Sequence, residues 1–126
     1  MFISLLVPHE TVRRIAVTDG MDPVAVNKLL NAGYEVIERH YNEEELLDGA
    51  LSDFDAVVVR SATKLTSEVI SNSGHLSFIG RAGVGVDNID IKAASRSGIV
   101  VCNTPQSSTN SVVELTIGHL LASCRY

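Results

Sequence analysis

The chain has 126 residues, 45% hydrophobic and 20% charged, a length and balance that suit one folded domain with its own core and exclude a disordered chain. Ten Lys and Arg against fifteen Asp and Glu leave a net charge of −5, and no basic stripe marks a nucleic-acid surface. Two cysteines, Cys102 and Cys124, form no disulfide framework, no CxxC or HExxH spacing offers a metal site, and a cytoplasmic setting with reduced thiols is expected.

The N-terminus reads "MFISLLVPHETVRR". Its apolar run, residues 2–7, is too short to span a bilayer and too short for most signal-peptide cores, and no basic residue precedes it. Residues 1–13 are therefore expected to be a tail, and no membrane partner is expected.

From Arg14 onward, short β-branched runs alternate with helix signals. The runs are "RIAVTD" (14–19), "YEVIER" (34–39), "DAVVVR" (55–60), "LSFIGR" (76–81) and "GIVVCN" (98–103). Asp22 followed by Pro23 predicts a first helix, with Val26, Leu29 and Leu30 as its apolar face and Gly33 as its stop. Asn42 predicts the cap of a second, with Glu43, Glu44 and Glu45 at the positive end of the helix dipole and Leu46, Leu47, Ala50 and Leu51 facing inward. Thr66 opens a short third helix that ends by Gly74. Asn88 or Asp90 opens a fourth, in which Ile91, Ala93 and Ala94 pack and which Gly98 ends.

Strand–helix alternation at about 20 residues per unit means crossover connections and a parallel sheet covered on both faces. The expected fold is α/β: a flavodoxin-like, doubly wound, five-stranded sheet in the order 2-1-3-4-5. After Cys102 the pattern breaks into a polar connector, "NTPQSSTNS". Ser111 and Glu114 then have the spacing of a capping box for "VVELTIGHLLASC". This last helix is apolar almost all round, a pattern that predicts burial on every side.

The stretch "GRAGVGVDNID" raises the question of a dinucleotide site. The fingerprint needs G-x-G-x-x-G after the first strand of its unit and an acidic residue about 20 positions on. Here Gly83 and Gly85 are followed by Asn88, and the loop comes after the fourth strand. The pattern does not make a pyrophosphate site. It does put two glycines, Arg81 and the pair Arg60–Ser61 at the carboxyl ends of neighbouring strands, where open α/β sheets bind ligands. Two arginines with free backbone amides suit a small carboxylate or phosphate. From spacing alone, a tight turn with two solvated arginines is an equal reading.

The stretches "VVVRSATKLTSEVI", "IGRAGVGVDNIDIKAASRSGIVVCNTP" and "NSVVELTIGHLLASCR" together resemble the D-isomer-specific 2-hydroxyacid dehydrogenases, in order and spacing, from Arg14 to the C-terminus. The resemblance implies a substrate-binding domain over residues 14–102 and a hinge at 103–105. The remainder, to residue 126, implies the first helix of a truncated NAD domain, from about Thr109. It implies that Arg60 and Ser61 hold the acid end of a substrate, that Arg81 and Gly83 belong to a second substrate loop, and that Val84 borders the nicotinamide. Some members carry threonine where this chain has Val84, which removes a hydroxyl contact.

The family's catalytic histidine, glutamate and arginine, and its dinucleotide fingerprint, come from the NAD domain and have no counterpart here. His9, His40 and His75 read as surface residues, and His119 as a structural histidine with one hydrogen bond. The resemblance thus implies an N-terminal fragment or short form of an NAD-dependent enzyme. That form would meet a phosphorylated 2-hydroxy acid, be inactive alone, not bind NAD by itself and form a homo-oligomer through residues 112–124. The alternative is a non-catalytic short form that binds an anion or pairs with a longer chain. A phosphoacceptor signalling domain fits less well, because Asp19 stands alone after the first strand and Arg60 fills the acceptor position.

Overall fold

The computed structural model describes residues 13–124. Of the expected N-terminal tail, all but Arg13 lies outside the described residues, as does His9.

Each β-branched run yields one four-residue strand, and each helix signal yields a helix. The order is β1 (Arg14–Val17), α1 (Pro23–Asn31), β2 (Glu35–Glu38), α2 (Glu43–Leu47), β3 (Ala56–Val59), α3 (Ser67–Ser71), β4 (Phe78–Arg81), α4 (Ile91–Arg96), β5 (Val100–Asn103) and α5 (Thr109–Ser123). All five strands are parallel, in the order β2-β1-β3-β4-β5. Between β1 and β3 the winding direction reverses, which opens a crevice at the carboxyl ends of those strands.

The caps form at the residues the sequence marks for them. Asp22 Oδ1 accepts from the Val24 amide at 2.8 Å ahead of α1, and Asn42 and Glu45 form a reciprocal capping box on α2. Thr66 caps α3, and of the two candidates for α4 it is Asp90 that accepts from the Ala93 amide, at 2.8 Å.

Alternation along the strands divides the core in two. Val57, Val59 and Ile79 pack with Leu46 and Leu51, with Val69 and Ile70 of α3, and with Ala93 and Ala94 of α4. Ile15, Val17 and Ala56 face the other way, towards Leu29 of α1. That second face is only half covered: Val58, Phe78, Val100 and Cys102 remain half-buried. The expected cover is therefore complete on one side only.

Three local expectations are corrected. Leu30 is 47% exposed and Ile91 39%, because each turns off the buried stripe of its short helix. The capping box at Ser111 does not form: α5 starts at Thr109, its N-cap is Ser108 without a side-chain hydrogen bond, and Ser111 lies inside the first turn. α5 is also exposed along its whole length and packs on no other element among the described residues. Its apolar sequence is as expected, but nothing in the described residues covers it.

Candidate functional site

Three loops and the end of β5 meet at the carboxyl edge of the sheet. The register pairs Val59 with Arg81 and Arg81 with Asn103, so residues 60–65, residues 82–90 and residues 103–104 leave from adjacent strand ends. Thr18 and Asp19 leave β1 beside them.

Hydrogen bonds lock these loops together. Asp19 Oδ2 accepts from the Arg60 amide at 2.7 Å and from the Thr63 amide at 3.1 Å. Thr63 Oγ1, buried, lies 2.5 Å from Asp19 Oδ1 and 2.8 Å from Thr18 Oγ1. From the other side, Asn88 Nδ2 donates to the Arg60 carbonyl at 2.8 Å and to the Thr63 carbonyl at 2.7 Å. A parallel bridge, Leu65 to Ile89, continues the junction, with the Leu65 amide on the Asn88 carbonyl at 2.8 Å. Asn103 Nδ2 donates to the Val84 carbonyl at 2.8 Å, and the Thr104 amide donates to the Gly83 carbonyl at 3.0 Å. Side chains thus hold backbone amides from one side and backbone carbonyls from the other, while Asn88 Oδ1 is buried without a hydrogen-bond partner.

Burial pushes the Asp19 carboxyl up. The hydrogen bonds from the Thr63 hydroxyl and amide and the Arg60 amide outweigh that effect and hold it below the usual aspartate range. It is therefore ionised at neutral pH, and its charge is spent on the loop.

Arg60 and Ser61 are exposed, on the outer turn of their loop. Arg81 is half-buried, and its guanidinium lies over Gly83 in the space a side chain on residue 83 would need. Arg81 Nε is buried without a hydrogen-bond partner. Val84 is 51% exposed. The amides of Ser61, Ala62, Val84 and Gly85 have no acceptor within the described residues. A cavity of about 440 Å3 opens on the far side of Asp19, walled by residues 17–20, 38–40 and Ala62. Arg60, Ser61, Arg81, Gly83 and Val84 are not among its walls, and of the four residues with free amides only Ala62 lines it.

The residues present do not make a dinucleotide cradle. A side chain at Gly85 would meet Asp87 Oδ1 at 2.8 Å, and Asn88, in place of the third glycine, is committed to two carbonyls. The first turn of α4 is already occupied by the Asp90 carboxylate, which would repel a pyrophosphate. His40, His75 and His119 are all exposed, and the His119 side chain makes no hydrogen bond, unlike the structural histidine expected there. No group of three His, Cys, Asp or Glu converges among the described residues. No helix of the described residues is long and apolar enough to cross a membrane.

Residues 15–122 match the model of the D-isomer specific 2-hydroxyacid dehydrogenase catalytic domain. The chain belongs to that family. Within this family, the D-3-phosphoglycerate dehydrogenase of Sus scrofa is 42% identical over 113 residues, covering 90% of this chain and 21% of that protein. The D-3-phosphoglycerate dehydrogenase of Methanocaldococcus jannaschii is 46% identical over 112 residues, covering 89% and 21%. The crystal structure of NAD+-bound 3-phosphoglycerate dehydrogenase of Entamoeba histolytica superposes with a TM-score of 0.71 at 38% identity, over 85% of this chain and 37% of that one. The chain thus spans about a fifth of the length of the curated relatives it matches, and corresponds to their N-terminal part.

Sequence reasoning named Arg60, Ser61, Arg81, Gly83 and Val84, and the fold brings their loops together. It missed Asp19 and Asn88 as the residues that join those loops. A signal existed for each: a lone acid after the first strand of an open α/β sheet, and an asparagine where a glycine was sought.

Proposed function

We propose that residues 14–102 form the substrate-binding domain of a 2-hydroxyacid dehydrogenase of the D-3-phosphoglycerate type. In this reading residues 103–105 are the hinge, and α5 is the first helix of the NAD domain. The substrate is a phosphorylated 2-hydroxy acid, and the setting is cytoplasmic.

The observation that carries this reading is the pair of interlocked loops with free amides at Ser61, Ala62, Val84 and Gly85, flanked by Arg60 and Arg81. Such amides bind a carboxylate or phosphate without first giving up another partner, and a guanidinium adds charge-assisted bonds. Arg60, Ser61, Arg81 and Gly83 hold the substrate's acid group, and Val84 borders the nicotinamide supplied by the NAD domain. The described residues, 13–124, carry neither a pyrophosphate cradle nor a histidine at the site, so in this reading they do not catalyse or hold NAD without the NAD domain.

The test is titration of the 126-residue chain with 3-phosphoglycerate, followed by amide chemical shifts. Shifts confined to residues 60–62 and 83–85 at millimolar ligand support the reading; shifts elsewhere alone defeat it. A second reading, a non-catalytic form that pairs with another copy or a longer chain, is favoured by the uncovered apolar surface of α5.

A further inference from the structure

The Arg60 and Thr63 amides do not face a ligand, because Asp19 already holds both. Two bonds to one carboxylate oxygen, three residues apart, draw the ends of this segment inward. The intervening amides, Ser61 and Ala62, are left over. The Thr63 hydroxyl on Oδ1 fixes the carboxylate's rotation, and Thr18, itself buried, supports that hydroxyl. Asn88 takes the carbonyls of the same two residues, Arg60 and Thr63. The segment is thus gripped by its donors from β1 and by its acceptors from the β4 loop.

Resting on the functional reading above, we propose that Asp19 is a positioning residue. Its carboxylate shapes residues 60–63 so that the Ser61 and Ala62 amides are presented to an anionic substrate. Asp19 does not touch the substrate, and its own charge would repel one. Shape and charge therefore make opposite demands. If Asp19 acts only through its charge, removing the charge strengthens anion binding in every variant. If it acts through shape, the outcome depends on whether an acceptor oxygen remains.

Asp19→Asn keeps that oxygen. Its Oδ1 can accept from the Arg60 and Thr63 amides, while its NH2 donates to Thr63 Oγ1 and the Thr63 hydroxyl turns its proton to Thr18. Asp19→Ala removes the acceptor, leaves two amides unpaired and lets the segment relax.

The experiment titrates the wild-type, Asp19→Asn and Asp19→Ala 126-residue chains with 3-phosphoglycerate by amide shifts. Hydrogen exchange of the Arg60 and Thr63 amides, the two that Asp19 holds, is measured on the same samples. Asp19→Ala is expected to bind about tenfold more weakly, the loss of one well-placed charge-assisted bond. Asp19→Asn is expected to bind at least as well as wild type. In Asp19→Ala the two amides exchange faster while those of β3 and β4 keep wild-type protection; in Asp19→Asn their protection returns.

Binding by Asp19→Ala that equals or exceeds wild type overturns the proposal. So does a loss in Asp19→Ala accompanied by lost protection throughout β3 and β4, which is general unfolding rather than positioning. If the wild type itself shows no shift at either loop, it is the functional reading that fails. Exchange then still decides on Asp19: unchanged protection of the Arg60 and Thr63 amides in Asp19→Ala overturns its role, and faster exchange there that Asp19→Asn reverses upholds it.

Discussion

The guanidinium of Arg81 lies in the space that a side chain at residue 83 would fill, two residues further along the chain. Gly83 meets this contact with a φ of 149°, a region L-residues rarely adopt. The two facts have one consequence: the loop after β4 closes because residue 83 has no Cβ, and Arg81 is held half-buried as a result.

Gly83→Ala is accordingly expected to cost about 1–3 kcal/mol of stability, the range for a strained backbone position. Arg81 must also swing out, so anion-induced shifts at residue 81 should vanish. Urea unfolding gives the first, and the titration spectrum the second. A variant as stable as wild type would mean the loop has a second conformation that tolerates a side chain.

Asn88→Ala removes two side-chain hydrogen bonds and leaves the Arg60 and Thr63 carbonyls to find water. Each such bond contributes about 0.5–1.5 kcal/mol net, so a loss of about 1–3 kcal/mol is expected. Asn88→Asp should be worse, because a carboxylate would face two carbonyl oxygens. The order Asn, Ala, Asp in unfolding midpoints checks this, and exchange at the Leu65 amide should rise in both variants.

The fold was legible because its signals are local. β-branched runs placed the strands, and Asp22, Asn42, Thr66 and Asp90 placed the caps, each through a bond to an amide two or three residues away. The junction was not legible in the same way. Asp19 and Asn88 act on residues 25 to 44 positions distant, and only the strand order 2-1-3-4-5 brings them together. The capping box at Ser111 failed for a related reason: Ser-x-x-Glu spacing marks a helix start only where the chain before it is not already helical, and here α5 has begun at Thr109. Leu30 and Ile91 show that an apolar residue near a stripe is not yet in it when the helix is short.

Two carboxylates make stability depend on pH. Burial raises the Asp55 carboxyl, but the amides of Arg14 and Arg13, at 2.8 and 2.9 Å, together with the charges of His75 and Arg13, bring it below the usual range. Asp19 is lowered by its own set of bonds. A carboxyl whose folded value lies below its unfolded value stabilises fully above the unfolded value, near pH 3.9. That contribution is lost as the pH falls further, through the folded value. The urea midpoint should therefore be flat from about pH 7 to pH 5 as far as these two groups go, and fall steeply below pH 4. Asp55→Asn should cost about 1 kcal/mol at neutral pH, a modest figure because the group is only half-buried, and flatten the acid side of the curve. A variant whose acid limb matches wild type would assign the loss to other carboxyls.

α5 exposes Val112, Val113, Leu115, Ile117, Leu120 and Leu121, each at least half accessible, and packs on nothing among the described residues. A patch of that kind on a helix marks an interface. Burying three side chains of leucine size contributes about 5–8 kcal/mol gross, which offsets much of the cost of association, put at about 4–15 kcal/mol. Self-association of the 126-residue chain through residues 112–124 is therefore expected. Replacing Ile117 with Glu and Leu121 with Lys should give a monomer while the five-stranded sheet keeps its protection, since neither residue touches it. Light scattering on both forms decides the matter. The competing outcome has a place in the fold as well: the half-covered face at Val58, Phe78 and Val100 could receive α5 from the same chain. A wild-type chain that stays monomeric at high concentration, and loses stability with the double substitution, would show that α5 folds back there and that the surface is not an interface.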